Sequence, residues 1–291
     1  ARAAYGWLTV KNSNTDEAFD VLREDPKSQH VPVQGWIQRD ATVEIMRKAG
    51  LDFDELKTRA QKPDFQPVVL DGVTFSTRFD VKKDQVVSRN IVGVLPGAKH
   101  PGEWVFYTSH WDHMGIGAPD ATGDTIYNGA LDNAAGVAQV LEIARNFAEA
   151  PRTDRPVGFL LVAGEGKGLL GPEDYATNPL YPLPKTVAIL NTDAPRAYAP
   201  AKDFSTSGDA PTTLQDSLIE VGAGLGRSYT PESRPEAGLF FRSDHFPFAK
   251  RGVPGISFKT GEELGSGPRA GKDWYDEYTR ERYHQPSGEF D

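Results

Sequence analysis

The sequence predicts a three-layer α/β/α fold whose central sheet is mixed and mostly parallel. Three observations lead there. The segments WVFYTS (104–109), VGFLLVA (157–163) and TVAILNT (186–192) are near-continuous apolar runs, as in strands buried on both faces. Helical patterns separate them, above all NAAGVAQVLEIARNFAEA (133–150), with Val137, Val140, Leu141 and Ala144 on one face. A length of 291 residues suffices for one large domain of this kind, with or without a small appendage.

The remaining elements follow in chain order. ARAAYGWLTVKNSN lacks the charged start and apolar stretch of a signal peptide. Its Tyr5, Trp7, Leu8 and Val10 read as a strand cut from something longer, so the chain is expected to begin inside a larger protein. Asp40 is placed to cap a short helix, TVEIMRKAG, that ends at Gly50. Asp52 with Glu55 makes a capping-box-like start for DELKTRAQ, which stops before Pro63. From Val68 to Val94 the text alternates as β-structure does, in VVLDGVTFSTRFDV and QVVSRNIVGVLPG. A short helix is expected from Gly168 to Tyr175, another over 211–222, and a last strand at GISF (255–258). Clustered Pro and Gly mark 194–212 and 260–272 as long surface loops.

Composition narrows the partners. A formal net charge of −9 argues against nucleic acid or an anionic membrane surface. No apolar run approaches the ~20 residues that a helix needs to cross a bilayer. Without cysteine there is no thiol nucleophile and no thiolate metal site, so any metal must sit on Asp, Glu or the six histidines.

In open α/β sheets, ligands bind beyond the carboxyl ends of the strands. The first core strand ends in Ser109-His110-Trp111-Asp112-His113, the strand 157–163 runs into Gly164-Glu165, and the strand 186–192 ends at Asp193. Asp132 opens the long helix, and His284 stands near the C-terminus in Tyr283-His284-Gln285-Pro286-Ser287. His, Asp, Glu, Asp and His thus reach one rim from different elements, a ligand set suited to a hard-to-borderline divalent metal. Singly each has a plainer reading. Asp132 could simply be a helix N-cap. Asp112, two residues past His110, either accepts a hydrogen bond from its imidazole or is a turn former. His30, His100, His113 and His245 are assigned to surface or packing.

Several local strings together resemble a family. TSHWDHMGIG, GDTIYNGALDNAAGV, KGLLG, FFRSDHFPFAKRGVP and RYHQPS are similar, in order over roughly residues 85–291, to the bacterial leucyl-aminopeptidase branch of the co-catalytic zinc exopeptidases. Glutamate carboxypeptidases, glutaminyl cyclases and the transferrin receptor share that superfamily. Residues 1–65 resemble the tail of a protease-associated insertion with connecting helices, leaving 66–291 as the catalytic domain. The resemblance implies that His110 and Asp193 hold one zinc, that Asp132 bridges two, and that His284 serves the second. It also implies a cis peptide at Asp132–Asn133, Glu165 as general base, and a secreted or periplasmic protein acting on peptides with a free N-terminus.

The chain departs from the pattern at Gly166, where the family has a glutamate ligand for the second zinc, and at Gly288, which replaces a common acid. One firm three-ligand zinc site is expected, beside a doubtful second one, since catalytic zinc normally has three protein ligands. Three explanations stay open: a single-metal aminopeptidase with Glu165 as base, Glu165 acting as ligand instead, or a non-catalytic binding relative. A glutaminyl-cyclase-like acyltransferase is disfavoured, because its ligand carboxylate maps to Gly166. Phe240, Phe241 and Tyr283 are candidates for an apolar pocket around the substrate's first side chain.

Overall fold

The protein is described by a computed structural model covering residues 6–14, 17–25, 31–195, 199–209, 211–264 and 270–290, without the side chain of Glu236. His30 lies outside the described residues. The chain forms two compact units, Arg23–Val87, and Ala1–Leu22 together with Ser88–Asp291.

Helix α1 (Trp7–Asn14) replaces the strand expected there. Ser13 Oγ and Asn14 Nδ2 bond back to the carbonyls of Thr9 and Val10, and Thr9 and Val10 are the buried pair. The apolar spacing at 7, 8 and 10 fits a helix face as well as a strand, and the polar tail can close helical turns on itself.

In the smaller unit, α2 (Arg39–Lys48) begins after Gln38 with no side-chain cap. Asp40, expected to cap it, sits inside the first turn, where its charge favours the helix dipole. α3 (Phe53–Arg59) starts as expected, with Asp52 Oδ1 accepting from the Glu55 amide at 2.7 Å. Residues 68–87 form no strand among the described residues. Val69, Phe75, Val86 and Val87 are exposed, and no described neighbouring backbone offers the ladder that alternation alone cannot supply.

The larger unit carries the central sheet. Its elements are β1 (Ile91–Leu95), β2 (Trp104–His110), the small antiparallel pair β3 (Gly115–Ile116) and β4 (Ile126–Tyr127), α4 (Ala135–Glu149) and β5 (Val157–Val162). Then follow α5 (Leu170–Thr177), β6 (Thr186–Asn191), β7 (Asp203–Thr206), α6 (Thr213–Gly224), β8 (Ser228–Tyr229), α7 (Phe246–Ala249), β9 (Gly255–Thr260) and α8 (Ala270–Glu281). The sheet order is β1-β5-β2-β6-β9-β7-β8. Its centre is parallel (β5, β2, β6, β9), while β1 on β5 and β7 on β9 are antiparallel, so the sheet is mixed.

Both faces are covered. Phe106, Leu160, Val162 and Ile189 pack under Tyr175 of α5 and Phe248 of α7. On the other side Val157 and Phe159 meet Val140, Ile143 and Phe147 of α4. Leu141, expected on that face, is 57% exposed, because the buried stripe runs Gly136, Val140, Ile143, Phe147. The segment 194–212, expected as loop, contains β7. Buried Asp203 there accepts from the Glu262 and Glu263 amides and from Thr230 Oγ1, which ties β7 inward. Likewise α8 occupies most of a region left without an element; its Trp274 and Tyr278 stack one helical turn apart. No described helix is long and apolar enough to cross a membrane.

Candidate metal centre

The parallel strands β2, β5 and β6 end side by side, and each end carries one polar group into the same space. His110, the last residue of β2, is 2% exposed. Its Nδ1 lies 2.9 Å from the Asp112 carbonyl, which can only accept, so Nδ1 carries the proton and Nε2 is left to ligate. The Asp112 carboxylate does not reach this imidazole. The extended run ends at His110, and Asp112 turns so that Oδ2 accepts from the Gly164 amide at 2.6 Å, bracing the loop before Glu165. Asp112 therefore acts on His110 through its main chain.

Asp132 sits in an irregular turn between Gly129 and α4, with the expected cis peptide to Asn133. It caps nothing: its Oδ1 lies 3.1 Å from His110 Nε2 and its Oδ2 lies 3.2 Å from His284 Nε2. Gly129 has φ +68, and a Cβ there would strike the His113 ring and the Asp132 carbonyl, so this tight approach requires glycine. Asn133 fastens the turn, donating to Ser109 Oγ (2.9 Å) and to the Thr192 carbonyl (3.1 Å), and accepting from the Ala194 amide (3.2 Å). Asp193, just past β6, lies 3.5 Å from His110 Nε2 through Oδ1, while its Oδ2 accepts from Ser243 Oγ at 2.6 Å. Glu165 Oε2 stands 3.9 Å from the same Nε2.

These distances suit a metal. Two ligands bound at about 2.0–2.1 Å to one tetrahedral ion lie roughly 3.4 Å apart. His110, Asp132 and Asp193 offer ligand atoms all within 4.8 Å of one another. His110 Nε2 is buried and makes no hydrogen bond, yet carboxylate oxygens surround it. The two oxygens of Asp132 face different histidines, the arrangement of a bridging carboxylate.

The electrostatics agree with the geometry. Burial opposes charge on His110, but Glu165, Asp132 and Asp193 outweigh it and hold its pKa well above the ordinary value. Asp132 is pulled well below its usual range despite burial, by the adjacent imidazoles of His110 and His284. Burial, and then the charges of Asp193, Asp244 and Asp132, drive the Glu165 carboxyl well above its usual range. The cluster has an excess of negative charge that calls for a cation.

Two further residues come to this rim without a sequence signal of their own. The ring of His113 packs at a steep angle to that of His284, centroids 5.4 Å apart, and its Nδ1 lies 3.9 Å from Asp132 Oδ2. Burial lowers its pKa to about 4. Its place depends on the turn at Gly129, which the residues around His113 give no sign of. Asp244 is fully buried, its carboxylate makes no hydrogen bond among the described residues, and burial raises its pKa to about 8. The FFRSDHFPF string that holds it is the available pointer. His245 is a packing histidine, edge-on to Phe240 at 4.8 Å and kept neutral by burial, which lowers its pKa to about 4. His100 is exposed in a loop.

At Gly166 no side chain reaches the cluster, and an added Cβ would press on Met114 Cε, the far end of a flexible side chain. The Gly288 carbonyl accepts from the Ala130 amide at 2.9 Å, helping to hold the Asp132 turn. The expected aromatic pocket is divided. Tyr283 and Asp193 line a cavity of about 80 Å³ together with Arg234, Arg242 and Lys259. Phe240 and Phe241 line a separate apolar groove of about 640 Å³.

A mixed α/β sheet with a His-Asp-Asp cluster at its carboxyl rim is the framework of a metallopeptidase. Residues 90–291 match the model of peptidase family M28, and the chain belongs to that family. A stretch of 103 residues, 35% of this chain, is 34% identical to a probable zinc metalloprotease of Pyrenophora tritici-repentis and covers 23% of it. Over 177 residues, 56% of this chain, it is 27% identical to the probable lipoprotein aminopeptidase LpqL of Mycobacterium tuberculosis, covering 35% of that protein. The chain thus spans well under half the length of these curated relatives. Among solved structures, the glutaminyl cyclase of Porphyromonas gingivalis is similar with a TM-score of 0.49 and 20% identity, covering 68% of this chain and 69% of that one.

Proposed function

We propose that the chain is a zinc-dependent aminopeptidase that removes N-terminal residues from peptides. The carrying observation is the buried His110 Nε2, unbonded and facing Asp132 Oδ1 at 3.1 Å and Asp193 Oδ1 at 3.5 Å, with Glu165 at 3.9 Å. His110, Asp132 and Asp193 would hold the ion, which when bound would polarise the scissile carbonyl and acidify the attacking water. Glu165 takes the proton from that water at its carboxylate and returns it to the leaving amine. Carboxylates at the rim bind the free α-amine, and the cavity beside Asp193 takes the first side chain.

The test is Glu165→Gln, assayed on aminoacyl-p-nitroanilides with zinc content measured alongside. Turnover should fall at least ~100-fold with zinc retained. Turnover within a few-fold of the parent would show that Glu165 is not the base. Gly166 favours a second reading, a non-catalytic binding relative, because it strips one ligand from the second metal position. That reading requires a parent protein without hydrolytic activity on any N-terminal residue. Export to the periplasm or the medium fits the aminopeptidase reading and rests on family resemblance.

A further inference from the structure

Helix α1 lies outside the stretch that matches the family, yet it touches the last of the candidate ligands. Ser13 Oγ lies 2.6 Å from His284 Nδ1 and 2.7 Å from the Thr9 carbonyl. A hydroxyl has one proton to give. The Thr9 carbonyl can only accept, so it takes that proton, and Ser13 presents a lone pair to His284. Nδ1 must then carry the imidazole proton. Nε2 is left with its lone pair directed at the space shared with Asp132 Oδ2, 3.2 Å away.

The backbone is held as well. His284 adopts φ +56, a left-handed conformation unusual for a residue with a side chain, and Asn12 Nδ2 donates to its carbonyl at 3.2 Å. Tyr283 stacks on the imidazole at 3.9 Å, and the His113 ring lies 5.4 Å away at a steep angle to it. Every polar atom of His284 that faces α1 is therefore used to aim the ring.

We propose that Ser13 is a positioning residue for a second zinc ion: it fixes the tautomer and direction of His284, making α1 part of the metal site. The inference rests on the zinc-peptidase reading above. It also gives α1 a reason to matter here, since Gly166 leaves that position with Asp132 and His284 as its candidate ligands, and a site with few ligands depends most on how well each is preset.

The experiment is a Zn²⁺ titration against a chromophoric chelator, with the parent, Ser13→Ala and Ser13→Thr. The parent should bind one ion tightly and a second more weakly. Ser13→Ala should weaken the second by ~10–100-fold and leave the first unchanged, which also serves as the control for folding. Ser13→Thr, which keeps the hydroxyl, should restore the second affinity. In the zinc-loaded parent, the Nδ1 proton of His284 should give a downfield NMR resonance that Ser13→Ala shifts or broadens. Equal second-ion affinity in parent and Ser13→Ala, or a Thr variant as weak as the Ala variant, would overturn the proposal. A parent that binds a single ion would overturn it too, while leaving the one-zinc peptidase standing. A parent that binds none would defeat the zinc reading itself.

Discussion

On the proposed reading, Gly166 leaves the second metal position one carboxylate short. Glu165 next to it keeps its carboxyl 3.9 Å from His110 Nε2, whereas Gly166 contributes only backbone. A Cβ there meets only the Met114 methyl, and a methionine terminus rearranges at little cost. Gly166→Glu is therefore expected to fold and to tighten the second zinc by at least ~10-fold in the same chelator titration. Unchanged second-ion affinity in a folded Gly166→Glu protein would mean that the position does not face the site. The candidate site residues at this scale are legible in the amino-acid sequence: His110 because it ends a strand, Glu165 and Asp193 because each closely follows one, and His284 because its string resembles a family motif. The role of Asp112 is not. Two-residue spacing puts side chains on one face only while the strand lasts, and here it stops at His110.

Among the elements, β9 and α8 do the most to shape the cavity for substrate. Lys259 comes from β9, Tyr275 and Thr279 from α8, and Arg234 and Arg242 from the short turns before α7. The strands β2, β5 and β6 are legible as unbroken apolar runs. β7 is not, since only four residues lie between Pro- and Gly-rich stretches and its inward anchor is the polar Asp203. α1 is ambiguous in sequence because its eight residues carry too few apolar positions to separate a period of 2 from one of 3.6.

For the whole molecule, chain topology converts a stable core into a reactive edge. Parallel β2, β5 and β6, sealed by α4 on one face and by α5 and α7 on the other, hold their carboxyl ends rigidly in register. Asn133 then laces the ends of β2 and β6 to the Asp132 turn, so that His110, Asp132 and Asp193 meet without any one element supplying two of them. On the proposed reading Asp132 joins two metal positions, since its two oxygens face His110 and His284. The most direct measurement is the zinc content of the purified protein after dialysis against a weak chelator, compared with Asp132→Ala. At least one zinc should remain per parent chain, and the variant should lose nearly all of it. A parent without zinc, or a variant that keeps as much as the parent, would contradict the assignment of this rim as the metal centre.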